Sequence, residues 1–261
     1  MNRLTKHRLG LSLPVVTGLA LLVTAGATPT AAQQSADFLL GAPRVALTIK
    51  AGFAQPRAGS GGDTESLWDF TREQLTVDTR DLGGTTIAGE LAIRAAERLD
   101  VTLSFGYTLS ATRSEFRDWV DMDDLPIEQT TEFVTFPLTV GVKAYLRDRG
   151  RSLGRFAYIP RTWNPYVGVA GGAVWYRFEQ YGDFVDFQTL DIFDARLLST
   201  GAGPTVHFLG GVEMSISNHV MLTGEGRYAL ASGRISGRDF VGFPDLDLAG
   251  FQVTVGFSFR Y

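Results

Sequence analysis

Few side chains in this 261-residue chain are of kinds that perform reactions, and their spacing limits what those reactions are. Cysteine is absent, which excludes a disulfide scaffold, a thiolate metal site, a thiol nucleophile and a lipoprotein anchor. The histidines are His7, His207 and His219. His207 shares one side of its segment with Thr205 and Glu213, the raw material of a hydroxyl–imidazole–acid hydrolase, but it reads better as a satisfied interior histidine. His219 falls in a tight turn and reads as solvated. The acidic run Asp118–Asp124 invites calcium, but counting from Asp121 puts Pro126 sixth and Glu132 twelfth, so the glycine an EF-hand turn needs is missing. A solvated loop is the reading. The glycines of Gly59–Gly62 lack a following Lys-Ser/Thr, and those of Gly168–Gly172 lie within a strand pattern, so neither is a phosphate cradle. The basic run Arg147, Arg149, Arg151, Arg155 and Arg161 reads as a solvated turn able to touch anionic headgroups. No catalytic residue, cofactor or metal is expected.

The elements that carry these residues are strands. From residue 42 onward the dominant pattern has period two. Phe251, Val253, Val255, Phe257, Phe259 and Tyr261 share one face, with Gln252, Thr254, Gly256, Ser258 and Arg260 on the other. Residues 101–109 and 134–146 repeat the pattern, and weaker versions run over 45–53, 87–95, 165–178, 205–216 and 220–230. That makes eight strands of an all-β, closed antiparallel up-and-down barrel. Residues 64–75 read as either a short helix or an extended flap; adding 66–79 as part of a hairpin would make ten strands. Every second connection is long (54–84, 110–130, 179–203 and 231–246), which gathers long loops at one rim and turns at the other.

Residues 1–8 are basic, 9–26 apolar, and small residues lead to Ala32, the plan of a signal peptide (1–32) removed before a barrel domain spanning 33–261. The formal charge is −4, and Arg3, Lys6 and Arg8 all lie in that leader, so the remainder is more acidic still. That disfavours a nucleic-acid surface, which needs concentrated positive charge, and none is expected among the partners.

Alternation alone allows a secreted ligand-carrying barrel or a membrane barrel, which face opposite ways. The polar face carries Lys50, Glu90, Arg94, Lys143, Glu213, Glu225 and Arg227 near mid-strand. Balanced charges of both signs suit a closed interior where they pair, with the apolar face toward lipid. Aromatic residues gather near strand ends, as membrane interfaces favour. An eight-stranded interior is just wide enough for side chains to fill, so an open porin is not expected.

The ending FQVTVGFSFRY resembles the C-terminal assembly signal of bacterial outer-membrane proteins, which puts Phe257, Phe259 and Tyr261 in that role. FPLTVGVKAYL (136–146), NPYVGVAGGA (164–173) and LTGEGRYAL (222–230) are similar to strands of the small OmpA/OmpX/OmpW-like and opacity-type barrels. The resemblance covers residues 42–261, without the peptidoglycan-binding domain of OmpA itself. It implies residence in the outer membrane and a structural or surface-interaction role. Its expected partners are lipid, lipopolysaccharide (with Arg113 and Arg117 near the phosphates) and the barrel-assembly machinery, and it is expected to be a monomer. The alternatives it raises are a narrow channel for small or hydrophobic solutes and a lipid-modifying enzyme. The His-x-Ser arrangement of such enzymes is not found at His207.

Overall fold

The computed structural model describes residues 38–58, 66–154, 157–235, 239–240 and 242–261. The expected signal peptide and the Gly59–Gly62 cluster lie outside the described residues. Eight strands form the wall: β1 Val45–Pro56, β2 Gly84–Ala96, β3 Leu99–Val120, β4 Pro126–Tyr145, β5 Trp163–Val185, β6 Ile192–Ser215, β7 Val220–Gly233 and β8 Gly250–Arg260. Each pairs antiparallel with its sequence neighbour, β8 pairs with β1, and the ring has no free edge through its lower half. The last residue joins the seam, with Tyr261 O accepting from Arg44 N and Val45 N.

Facing follows the period-two pattern as read from the sequence. Ile49, Ile87, Val140 and Val255 stand more than half exposed on the outer wall, while Thr48, Lys50, Glu90, Lys143 and Ser258 are buried within. Gly211 shows how the interior accommodates large rings. It lies opposite Tyr166 in register, and a Cβ there would sit 2.6 Å from the tyrosine hydroxyl.

Four strands are longer than the alternation suggested. β3, β4, β5 and β6 continue past the lower barrel as two paired hairpins, turning at residues 121–125 and 186–191. The segments read as long loops at 110–130 and 179–203 are therefore mostly strand. In the first turn Asp121 Oδ1 accepts from the backbone N–H of Asp123 and Leu125, so part of the acidic run builds the turn itself.

Between β1 and β2 the chain forms helix α1, Leu67–Gln74, and a 3-10 turn, Thr79–Leu82. This decides the open reading of that segment for a helix and removes the ten-strand alternative. The start of α1 is a capping box: Ser66 Oγ accepts from Asp69 N, and Asp69 Oδ2 accepts from Ser66 N. The Ser66 hydroxyl, also donated to Asp69, is the main reason the Asp69 carboxyl titrates below its usual range; Arg72 adds to it.

At the turn-side rim, Leu39–Leu40, Gly150–Leu153 and Ala157–Pro160 make a small three-stranded sheet beneath the barrel.

Candidate functional site: an ionic plug beneath an apolar one

Strand parity aims side chains from seven strands at one level of the lumen. Lys50 Nζ on β1 lies 2.8 Å from Glu225 Oε1 on β7 and 3.2 Å from Glu90 Oε2 on β2. Lys143 on β4 bonds Glu90 and stands 3.7 Å from Glu225 and 3.9 Å from Glu213 on β6. Arg227 Nη2 completes the group at 2.9 Å from Glu225 and 3.6 Å from Glu90. Three cations thus face three carboxylates, all buried. Several contacts join strands that are not neighbours in the ring, so the cluster ties opposite walls together.

Four further participants were not assigned to this network from the sequence. Tyr166 OH donates to Glu225 at 2.8 Å, and Tyr145 OH lies 3.1 Å from Glu213 and 3.2 Å from Asp100. Arg149 donates to Asp100 at 2.7 Å and stacks over the Tyr145 ring at 4.3 Å. Tyr145 and Asp100 were findable, because they lie on the polar parity of β4 and β3 beside Lys143 and Thr102. Arg149 corrects the reading of its run as a solvated turn, since the loop after β4 folds under the barrel and sends this guanidinium inward.

Arg94 is the correction in the other direction. It makes no ion pair among the described residues and stands at the rim, its guanidinium 5.9 Å from the Tyr158 ring. Asp100, its register partner, is already engaged by Arg149 and Tyr145. Tyr158, on the small sheet, is 4% exposed and lines the turn-side end of the lumen with Arg94, Asp100 and Arg149.

Above the ionic level the interior becomes apolar. Trp68 of α1 is fully buried, edge-on to Phe133 at 5.2 Å and Phe178 at 5.3 Å, and donates its indole N–H to Asp247 O at 3.0 Å. Leu67, Leu75, Val77 and Leu82 from the same connection, with Phe240, Leu246 and Leu248 from the β7–β8 connection, complete this second plug.

Between the two plugs lies a chamber of about 80 Å³ lined by Arg227, Gln252, Ala229 and His207. His207 is 3% exposed and its Nδ1 has no hydrogen-bond partner among the described residues. Its register partners are Ala170 and Ala229, and Glu213 lies six residues along the same strand, roughly 20 Å away. The constellation weighed for a hydrolase is therefore not assembled around His207. His219 lies in the β6–β7 turn with its Nδ1 3.2 Å from Arg260 O.

On the outer wall the end of β8 and the residue after it alternate as expected: Phe257 is 50% and Tyr261 73% exposed. Arg113 pairs with Glu128 on the extended hairpin, and Arg117 Nε donates to Arg72 O.

No protein-family model and no curated protein matches the chain. Solved structures do. OprG from Pseudomonas aeruginosa aligns at 15% identity and a TM-score of 0.45, over 85% of this chain and 99% of that one. Neisserial surface protein A aligns at 11% and 0.44, over 83% and 97%, and the outer-membrane protease OmpT from Escherichia coli at 10% and 0.40, over 87% and 99%. At these scores the likenesses add nothing to what the strand pairings establish by themselves. Eight antiparallel strands closed on themselves, with an apolar outer wall and an ionic interior, give this chain the fold of a small transmembrane β-barrel.

Proposed function

We propose that this protein resides in a bacterial outer membrane, exported through a removed segment 1–32, as a plugged, non-catalytic barrel that presents its long hairpins for contact at the cell surface. The observation that carries this reading is the pairing of an exposed aliphatic wall with a lumen blocked at successive levels. Leu103, Phe105, Leu138, Val140, Phe208, Val253 and Phe257 form a belt that water would not tolerate over such an area, and hydrocarbon would. Inside, the ionic cluster, the α1 plug and Tyr158 lie one above another, and an eight-stranded barrel has little width to spare. Lipopolysaccharide and the assembly machinery are the partners this placement implies, with Phe257, Phe259 and Tyr261 as the assembly signal. Membrane fractionation with surface proteolysis tests the placement. Conductance of the purified barrel in planar bilayers tests the plug, and reproducible single-channel steps would refute it.

A second reading, a route for small or apolar solutes, is favoured by one feature. A cleft of about 530 Å³ opens where Pro204–Val206 of β6 leaves Leu230–Ser232 of β7, and it shares Thr205, Ala231 and Ala249 with the inner chamber. Substrate-dependent uptake lost on filling that junction, as in Ala231→Phe, would favour transport over a purely structural role.

A further inference from the structure

β6 outlasts its partner on one side. Its pairing with β7 ends at Thr205–Ala231, whereas its pairing with β5 runs on to Ile192. Above the junction β7 pairs with a short strand, Leu246–Asp247, and among the described residues no strand pairs with Ile192–Leu198 on the side away from β5. The closed barrel therefore ends in a blade with an open edge, beyond the apolar belt. Ile192 lies ten residues past Ala202, the partner of Trp175, or roughly 33 Å of strand.

The backbone of this edge is set to accept another strand. Leu198 N–H points away from β5 and is capped by Asp239 Oδ2 at 3.0 Å, a side-chain acceptor that a pairing strand's carbonyl displaces. Amide direction alternates along a strand, so the N–H and C=O of Asp194 and Arg196 point to the free side as well. Ile192, Phe193 and Leu198 are each more than a third exposed, and the Arg196 side chain is 68% exposed.

The side chains near Ala195 read the same in both directions. Antiparallel pairing of two copies centred on Ala195 sets Asp194 opposite the second copy's Arg196, and Arg196 opposite its Asp194. On the same face Ile192 meets Leu198, and on the other Phe193 meets Leu197. Natural sheets discourage edge pairing with charges that repel a second copy; a residue pair of opposite sign, two apart on one face, attracts it. Arg196 already shares Glu179 with Arg177, so Glu179 keeps a cation when Arg196 turns to a new acid.

We infer that the free edge of β6, Ile192 to Leu198, pairs antiparallel with the same edge of a second copy held in a facing membrane. The facing arrangement follows from symmetry. The two-fold axis of such a pair is normal to the sheet, and rotation about it reverses the barrel axis along with the strand. Copies in one membrane cannot meet this way; copies on apposed surfaces can. One seven-residue pairing is weak, and many between two membranes add through avidity. This inference rests on the outer-membrane reading above and gives its surface contact a partner.

Proteoliposomes test it. The chain has no cysteine, so Met122→Cys, at a fully exposed hairpin turn, reports by impermeant maleimide labelling whether the blades face outward. Wild-type vesicles should cluster by light scattering. Arg196→Asp and Asp194→Arg, each placing like charges opposite one another, should each reduce clustering at least tenfold. Mixing the two vesicle populations should restore it, as should the double swap Asp194→Arg/Arg196→Asp on its own. Inserted, labelled vesicles that stay dispersed, or single variants that cluster like wild type, overturn homotypic pairing and leave the barrel reading intact. Failure of the protein to insert would overturn both.

Discussion

The lower barrel and the upper blade are made of the same strands and solve opposite solvent problems. On β4 below Phe136, Leu138, Val140 and Val142 face out while Thr139 and Lys143 face in; above it, Phe133 and Ile127 face in while Glu132 and Glu128 face out. β5 changes at Trp175: Val167 and Val169 are exposed below it, and Phe178 is buried above it with the exposed Arg177 beside it. The apolar parity inverts within a single unbroken strand. Each face takes the polarity of what it touches, so the inversion marks where acyl chains give way to water.

Breaking the lower interior should cost most. Glu90→Ala removes one of the two carboxylates that Lys50 and Lys143 share, leaving Glu225 alone between them, and loss of one partner of a buried ion group costs about 3–5 kcal/mol. Unfolding in lipid or detergent should show a cooperative loss of the whole barrel. Trp68→Ala removes a buried indole of the upper plug, also worth about 3–5 kcal/mol where it packs. Here the expected result is local: faster proteolysis within residues 57–83, with the barrel's own unfolding nearly unchanged. Equal effects of the two substitutions on global unfolding would dissolve the distinction between the halves.

The outer faces sharpen the same contrast. Phe257→Arg should cost about 2–4 kcal/mol if the residue faces the bilayer midplane. Glu132→Arg on the outer face of the blade should change stability by no more than ~0.5 kcal/mol in the same titration. A local effect is expected at the cap of α1, where Ser66→Ala should cost about 1 kcal/mol of helix stability. Because Asp69 is held below its ordinary range in the folded state, its contribution is present above the usual carboxylate pKa and lost as pH falls through the lowered value. Plug opening by proteolysis should therefore rise in acid, and rise less in Ser66→Ala.

Much of this was legible in the residues. Eight alternating segments, their outward apolar face and the inward Lys50, Glu90, Lys143, Glu213, Glu225 and Arg227 all follow from period two and local polarity. The strand boundaries near 109, 134, 178 and 205 cut the strands short for a physical reason: the pattern does not stop there, it changes phase, and a phase change looks like a loop when only one phase is sought. Arg94 and Arg149 exchanged their expected places because both lie at a rim, where a neighbouring loop decides which guanidinium reaches an acid.

What the order of residues determined alone is the strand, its two faces and the closure they demand, because those depend on nearest neighbours and on the cost of unpaired backbone in an apolar medium. Which acids met which bases, that a helix between β1 and β2 would fill the upper lumen, and that β6 would end as an open edge were decided only in three dimensions. Those outcomes depend on contacts between residues as far apart in the chain as Lys50 and Glu225, which no local pattern encodes.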